Sequence, residues 1–521
     1  MAVRILTCGR IIVAVAIAAG LGSLVIARAA GAGQSNSPTL ARAGQLIAAN
    51  RLDEARQIID RVLARDPGSA SAQYLLGTLL EKRQDLNGAE AAYRAALERD
   101  GSLARAHDRL GFVLGLQGST EAAIAEFERA VALDPRLADA QYHLGATLWW
   151  TKQIDAARKP LEQAVALRPN HAESRYYLGL TKRQQGDLPG AIAQLRRAVA
   201  LDPKLAVAHL QLGVALQGYG DLDGAIRQFE RATTLDPSRP DAGNSLGLAL
   251  IQKGDARRAV ETLRGVVERH PEFGSARLNL GNALLQGGDI DGAIEVYREL
   301  SQREPTNAEA FYDLGLALKQ KDNFAGAENA LREARKLDAT MPEAPYTLGV
   351  VLWQTGRADE AVAAFRDAIS RRADYADAHY MLGTVLRQTG KSEGALREFR
   401  ETIRINPESA EAYTSIGQLL TAARDTSGAA EAFANAERLH KVKADSQAAV
   451  FAVNAGLEQL RLNDLAAATE KFREAVRLDP NNAQAHYQLA LVLRRRGSAA
   501  EARAEFEKAR SLAPYLKPPG H

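Results

Sequence analysis

A small residue returns every 34 positions along nearly the whole chain: Ala43, Gly77, Gly111, Gly145, Gly179, Gly213, Gly247, Gly281, Gly315, Gly349, Gly383 and Gly417, then, after five extra residues, Gly456 and Ala490. Self-similarity at a fixed period means one supersecondary unit repeated, each copy too small to bury its own apolar face and stacked on its neighbours to do so. The length of 521 residues would otherwise suggest three or four separate domains. Alanine stands twelve residues after every one of the fourteen marks, from Ala55 and Ala89 to Ala468 and Ala502. A large apolar residue follows four positions later, as Tyr93, Phe127, Phe229, Tyr297, Phe365 or Phe472. Proline stands 24 residues past the mark in ten repeats, often as Leu-Asp-Pro.

Within a repeat, apolar residues recur at helical spacing in two runs of about a dozen residues, separated by a short turn such as Gly186-Asp187 or Gly220-Asp221. The predicted fold class is therefore all-α: an α-solenoid of antiparallel helix pairs. The glycines at the mark and the alanines twelve later are expected to let two helix axes approach closely, with the following ring filling space toward neighbouring helices. Proline ends the second helix because it cannot continue the hydrogen-bond ladder.

The order Leu-Gly, Ala, Phe or Tyr, Ala, Pro in a 34-residue frame, carried in residues 104–137 by Leu110-Gly111, Ala123, Phe127, Ala130 and Pro135, resembles the tetratricopeptide repeat. The resemblance spans residues 36–516 in fourteen copies. It implies a right-handed superhelix whose concave groove is lined by each first helix, and binding of peptides or protein segments there. Asn282 is the one match to the asparagine with which chaperone-binding members hold a C-terminal carboxylate, and its neighbours Leu278 and Leu285 do not fit that clamp.

The ends and one joint depart from the pattern. Arg4 and Arg10 precede an uncharged apolar run from Ile11 to Ala27, followed by small residues. Residues 1–29 read as an export signal or an N-terminal anchor, and 30–35 as a flexible lead-in. The chain is then expected beyond a membrane, periplasmic or secreted, or anchored in the cytoplasmic membrane by that segment. Residues 36–448 hold repeats 1–12, 449–516 repeats 13 and 14, and 517–521 a tail. The junction between repeats 12 and 13 lacks proline and carries the insertion, within 438–450. A second helix that runs long, with a hinge or kink, is expected there. Self-association through the C-terminal end is a further expectation, because the last helix of a solenoid has no neighbour.

Without residues 1–29, which hold Arg4, Arg10 and Arg28 and no acid, 63 basic side chains face 63 acidic ones. That balance, without a basic run, argues against nucleic-acid binding. The single cysteine, Cys8, excludes an intrachain disulfide framework. His107, His209, His379 and His486 share one repeat position, four before the mark, on separate repeats, and read as packing residues rather than as metal ligands. No cofactor, metal site or catalytic residue is expected.

Residues three before, one after and four or five after the mark are the groove positions that the resemblance implies. They carry Tyr74, Tyr142, Tyr176, Tyr312, Tyr346 and Tyr380; Phe112; and all three tryptophans, Trp149, Trp150 and Trp353. Such rings bury large area while hydroxyl and indole N–H groups are suited to bonding a ligand's backbone. The expected function is a non-enzymatic scaffold binding extended segments of other proteins. The alternative is a glycan-binding or substrate-recruiting arm of an envelope enzyme complex.

Overall fold

A computed structural model describes residues 37–513 and 516. The expected export segment, the lead-in and the 517–521 tail lie outside the described residues. Among the described residues there are twenty-seven helices and no strand, and no helix is long and apolar enough to cross a membrane. The chain forms two compact units, 1–249 and 250–521, each a run of stacked antiparallel helix pairs, so the fold is an all-α solenoid.

Repeat 3 shows why this sequence makes a helix pair. Its first helix, α5 (Ala104–Leu116), and its second, α6 (Thr120–Leu133), flank a turn at Gly118 with φ of 84°. The residue seven after the mark is left-handed in all fourteen repeats. It is glycine in eight, and Asn50, Gln84, Lys152, Asp322, Arg424 or Asn463 in the rest. The Asp that often follows then caps the second helix, as Asp187 accepts from the Gly190 N–H at 2.9 Å and Asp221 from Gly224 at 2.8 Å. Between repeats, the Asp of Leu-Asp-Pro folds back on the chain: Asp134 accepts from the Arg136 N–H at 3.0 Å.

The marks pack as expected in kind but not in partner. A Cβ built on Gly111 would lie 2.8 Å from two ring carbons of Phe127, and on Gly213 it would lie 2.5 Å from Phe229. Gly77 likewise meets Tyr93, Gly145 Leu161, Gly179 Leu195, Gly281 Tyr297, Gly315 Leu331, Gly349 Phe365, Gly383 Phe399, Gly417 Phe433 and Gly456 Phe472. The large side chain thus seats directly on the glycine, sixteen residues earlier, instead of pointing away from it. The alanine twelve after the mark contributes chiefly by bringing its backbone close, as the Ala123 carbonyl oxygen does 3.0 Å from the Gly111 Cβ position. Gly247, in the helix Pro240–Lys253, is also buried.

The four repeated histidines are more than packing. His107 Nδ1 lies 2.5 Å from Glu126 and its Nε2 3.1 Å from the Gly101 carbonyl; His379 repeats this with Glu398 at 2.6 Å and Ala373 O at 3.2 Å. His209 uses Gln228 and the Pro203 carbonyl, and His486 uses Glu505 and the Pro480 carbonyl. Each ring therefore ties the first helix to the second helix and to the turn entering the repeat. Gln141 and Arg175, at the same position, reach the Pro135 and Pro169 carbonyls at 3.0 and 2.7 Å.

The insertion is absorbed as helix. The second helix of repeat 12 continues as the first helix of repeat 13 in one element, α24 (Thr426–Arg461), of 36 residues. Fourteen pairs with one such fusion give the twenty-seven helices observed. No turn opens at 438–450, and the division expected at 448/449 falls inside this helix. The last helix, α27 (Ala499–Leu512), buries Ala502, Phe506 and Ala509 and exposes Glu501, Arg503, Glu507, Lys508 and Arg510, so the C-terminal end presents a polar face.

Candidate peptide-binding groove

In the first compact unit the aromatic residues gather where α7 (Ala138–Trp150) lies beside α9 (Ala172–Gln184). The Trp149 and Trp150 rings meet edge-on at 5.1 Å, Trp149 meets Tyr177 at 5.7 Å, and Tyr176 meets Tyr177 at 5.1 Å. The Trp150 indole N–H donates to the Tyr177 hydroxyl at 3.0 Å. Lys152 places its ammonium 5.6 Å from the Trp149 ring centroid. Burial pushes the Tyr176 hydroxyl up to about 12 and the Tyr177 hydroxyl higher still, so both stay neutral donors at any working pH.

Two residues expected in the groove belong to the core. Phe112 and Tyr142 are 4% and 2% exposed, packed in one cluster with Phe127, Tyr177 and Leu161. The half-buried members on this stretch are Tyr74, Trp149, Trp150 and Tyr176. Tyr74 packs on Tyr93 at 5.8 Å, so one of its faces belongs to its own repeat.

In the second compact unit Tyr312, Tyr346, Trp353 and Tyr380 are half-buried. Tyr346 lies 5.9 Å from Phe365, and Tyr380 5.5 Å from Phe399. The ring three before the mark thus rests on the ring sixteen after it. Tyr346 also meets Tyr375 at 5.0 Å, over which the Arg372 guanidinium stacks at 3.7 Å.

The tryptophans differ from expectation in chemistry. Trp353 donates its indole N–H to Gln388 Oε1 at 2.6 Å, Trp150 spends its own on Tyr177, and the Trp149 Nε1 is enclosed without a partner. All three indole N–H groups face protein: those of Trp150 and Trp353 are taken by a side chain of the next repeat, the latter at the surface, and that of Trp149 is enclosed. What remains for a ligand is ring surface.

Sequence reasoning missed three polar features. His143 Nδ1 bonds Asp108 at 2.7 Å, both buried, with the Phe112, Phe127 and Tyr142 rings about 5.5 Å away. That enclosure makes it a pin between repeats 3 and 4, not an open acid–base pair. Arg109 bonds Glu81 across repeats 2 and 3, stacks over Phe112 at 4.4 Å, and Glu81 also accepts from the Tyr93 hydroxyl at 2.9 Å. Third, Asp313 and Tyr312, with Glu309, Asp338 and Glu343, line an open depression of about 510 Å³. Burial first, and the Glu309 charge second, push the Asp313 carboxyl up to about 7. The residue pattern at 309–313 held the carboxylates but not their desolvation. Among the described residues, no group of three or more His, Cys, Asp or Glu side chains is placed to hold a metal ion.

The chain matches family models described as "Tetratricopeptide repeat" at residues 40–104 and 453–516, "TPR repeat" at 114–149 and 179–218, and "Cilia and flagella-associated protein 70 C-terminal domain" at 230–453. No curated protein matches. Among solved structures, MamA is 31% identical, with 32% of this chain and 96% of that chain covered and a TM-score of 0.31. YrrB, described as a TPR protein with an unusual peptide-binding site, is 26% identical, covering 36% and 96%, with a TM-score of 0.34. PilF of Pseudomonas aeruginosa is 20% identical, covering 40% and 95%, with a TM-score of 0.36. With its helix pairs, its period and these repeat models along its length, the chain is a member of the tetratricopeptide-repeat family.

Proposed function

We propose that the chain is a non-enzymatic scaffold that grips extended segments of other proteins on the aromatic face of its first helices, beyond a membrane reached through residues 1–29. The observation that carries the reading is the half-buried set Trp149, Trp150, Tyr176, Tyr312, Tyr346, Trp353 and Tyr380, whose inner faces are fixed by packing and whose outer faces remain open. Rings already held in place lose little freedom on binding, so contact area converts to affinity efficiently. With the indole N–H groups bonded or enclosed within the chain, recognition rests on ring and apolar surface, including Leu248, which is 40% exposed. Hydrogen bonds to the ligand then fall to tyrosine hydroxyls and rim side chains.

The test is capture of proteins from the envelope fraction by the full chain, compared with a Trp149→Ala/Trp150→Ala variant. Loss of bound protein in the variant, at unchanged helicity, is expected, with binding that varies little between low and high salt. Retained binding in the variant, or binding abolished by salt, overturns the reading.

A further inference from the structure

Five of the eight exposed large apolar side chains among the described residues lie between 433 and 462: Phe433, Val442, Val450, Phe451 and Leu462. That concentration falls where repeat stacking is interrupted. In repeats 1–11 and 13 the large residue sixteen after the mark is fully buried, as Phe399 and Phe472 are, whereas Phe433 is 40% exposed. Even Phe506, in the terminal repeat, is only 8% exposed. Phe433 sits on Gly417 but lacks the next helix that would cover it, because α24 runs straight on instead of turning back.

The surface of repeat 13 that would meet this ring lies farther along the same helix and cannot fold back on it. Five before the mark, repeats 2–12 and 14 carry a buried Ala or Ser, such as Ala378, Ala412 and Ala485. Repeat 13 carries Phe451 there, 75% exposed. Two after its mark it carries exposed Glu458, where repeat 14 buries Val492.

Phe433 and Phe451 are eighteen residues apart, five full turns, and so share one face of α24. His440 and Ala444, both exposed, fall on the same stripe between them. The two phenylalanines stand nine residues to either side of residue 442, with exposed Glu437 and Gln447 at the edges of the stripe. An antiparallel two-fold contact centred there brings each Phe433 to the other copy's Phe451. We infer that α24 is a homodimer interface: two copies pair their α24 helices antiparallel, Phe433 of each against Phe451 of the other, with His440 and Ala444 at the crossing. The contact continues the stacking interface that buries the equivalent ring in every other repeat.

Sedimentation equilibrium of the full chain tests the inference, with a mass twice 56.1 kDa expected at micromolar concentration. Phe451→Glu, at a side chain that touches little of its own chain, should weaken the dimer by on the order of tenfold or more while leaving helicity and melting unchanged. With Cys8 replaced by Ser, a short bis-maleimide should couple Ala444→Cys chains to each other and leave Val442→Cys chains, on the opposite face, uncoupled. A monomer at all concentrations, a dimer indifferent to Phe451→Glu, or equal coupling at 442 and 444 overturns the inference. These readouts do not involve the groove, so failure here leaves the proposed function standing, and the reverse.

Discussion

Replacing Gly213 by Ala adds one carbon to a place that has no room for it. The new Cβ would stand 2.5, 2.6 and 3.0 Å from three ring carbons of Phe229, where carbon–carbon contact belongs at about 3.5–4.0 Å. The ring would have to withdraw by about 1 Å, and it is fully buried, so the displacement passes to its neighbours. Such overpacking costs roughly 1–3 kcal/mol. Alanine also gains about 1 kcal/mol over glycine from helix propensity alone, so the single variant understates the clash. Gly265→Ala cancels that term: it too is helical, and its nearest neighbour would be an Arg269 guanidinium nitrogen at 3.5 Å. The difference between the two variants in urea unfolding, followed by far-UV circular dichroism, should be about 1–3 kcal/mol, with Gly213→Ala the less stable. Adding Phe229→Ile should recover much of the loss, because repeat 1 already pairs Ala43 with Ile59, both fully buried. Repeat 14 pairs Ala490 with Phe506, which is 8% exposed where Phe229 is fully buried. Equal stability of Gly213→Ala and Gly265→Ala would refute the packing account. Gly213→Leu should be worse than either, and Lys204→Ala, on an exposed surface, should change stability by less than about 0.5 kcal/mol.

Other predictions follow from the turn, the clamp and the buried acid. Gln84 holds φ of 63° where eight repeats use glycine, so Gln84→Gly should raise stability by up to about 1 kcal/mol; a lower urea midpoint would contradict the turn assignment. His379 is raised by its bond to Glu398 in spite of burial, with the Ala373 carbonyl adding to the effect; both nitrogens face acceptors, so the ring must carry two protons to satisfy them. Its stabilisation is therefore complete below the unfolded value of about 6.5 and lost as pH rises through the higher folded value. An NMR titration of His379 that fell at or below the unfolded value would remove the clamp's charge. Asp313, pushed to about 7, keeps a proton in the folded chain that the unfolded chain has released by about pH 4. Stability should decline between about pH 4 and 7, by about 1–2 kcal/mol after allowance for solvent screening, and Asp313→Asn should flatten that decline in unfolding curves taken across the range.

Much of the fold was legible because its determinants are local. The 34-residue period, the Gly-Asp type turn and the closing proline each act within a few residues of themselves, and each recurs often enough to be read without a structure. The groove was legible only in part. Spacing put Tyr142 in the same column as Tyr74 and Tyr176, and Phe112 at the groove position one after the mark, yet neighbouring repeats bury Tyr142 and Phe112 and leave Tyr74 and Tyr176 half-open. The column fixes which side of a helix a residue occupies, while exposure depends on how bulky the adjacent repeats are. Likewise Trp149, Trp150 and Trp353 could be found by position, but the indole N–H groups of Trp150 and Trp353 are directed by Tyr177 and Gln388, which lie 27 and 35 residues beyond them. Self-association was expected at the C-terminal end, but the uncovered apolar surface lies at repeat 12, since the last helix turns charged residues outward.

The amino-acid order alone determined that this chain makes paired helices and where each pair turns, because those choices are set by backbone conformation and by side-chain pattern at fixed helical offsets. Only the tertiary structure decided that the five extra residues join two helices into α24, that Phe433 is left uncovered, and that Asp313 sits desolvated beside Glu309. Continuing a helix or closing a turn, and baring a ring or covering it, are settled by which neighbours are close enough to exclude water, and that is a property of the packed repeats together.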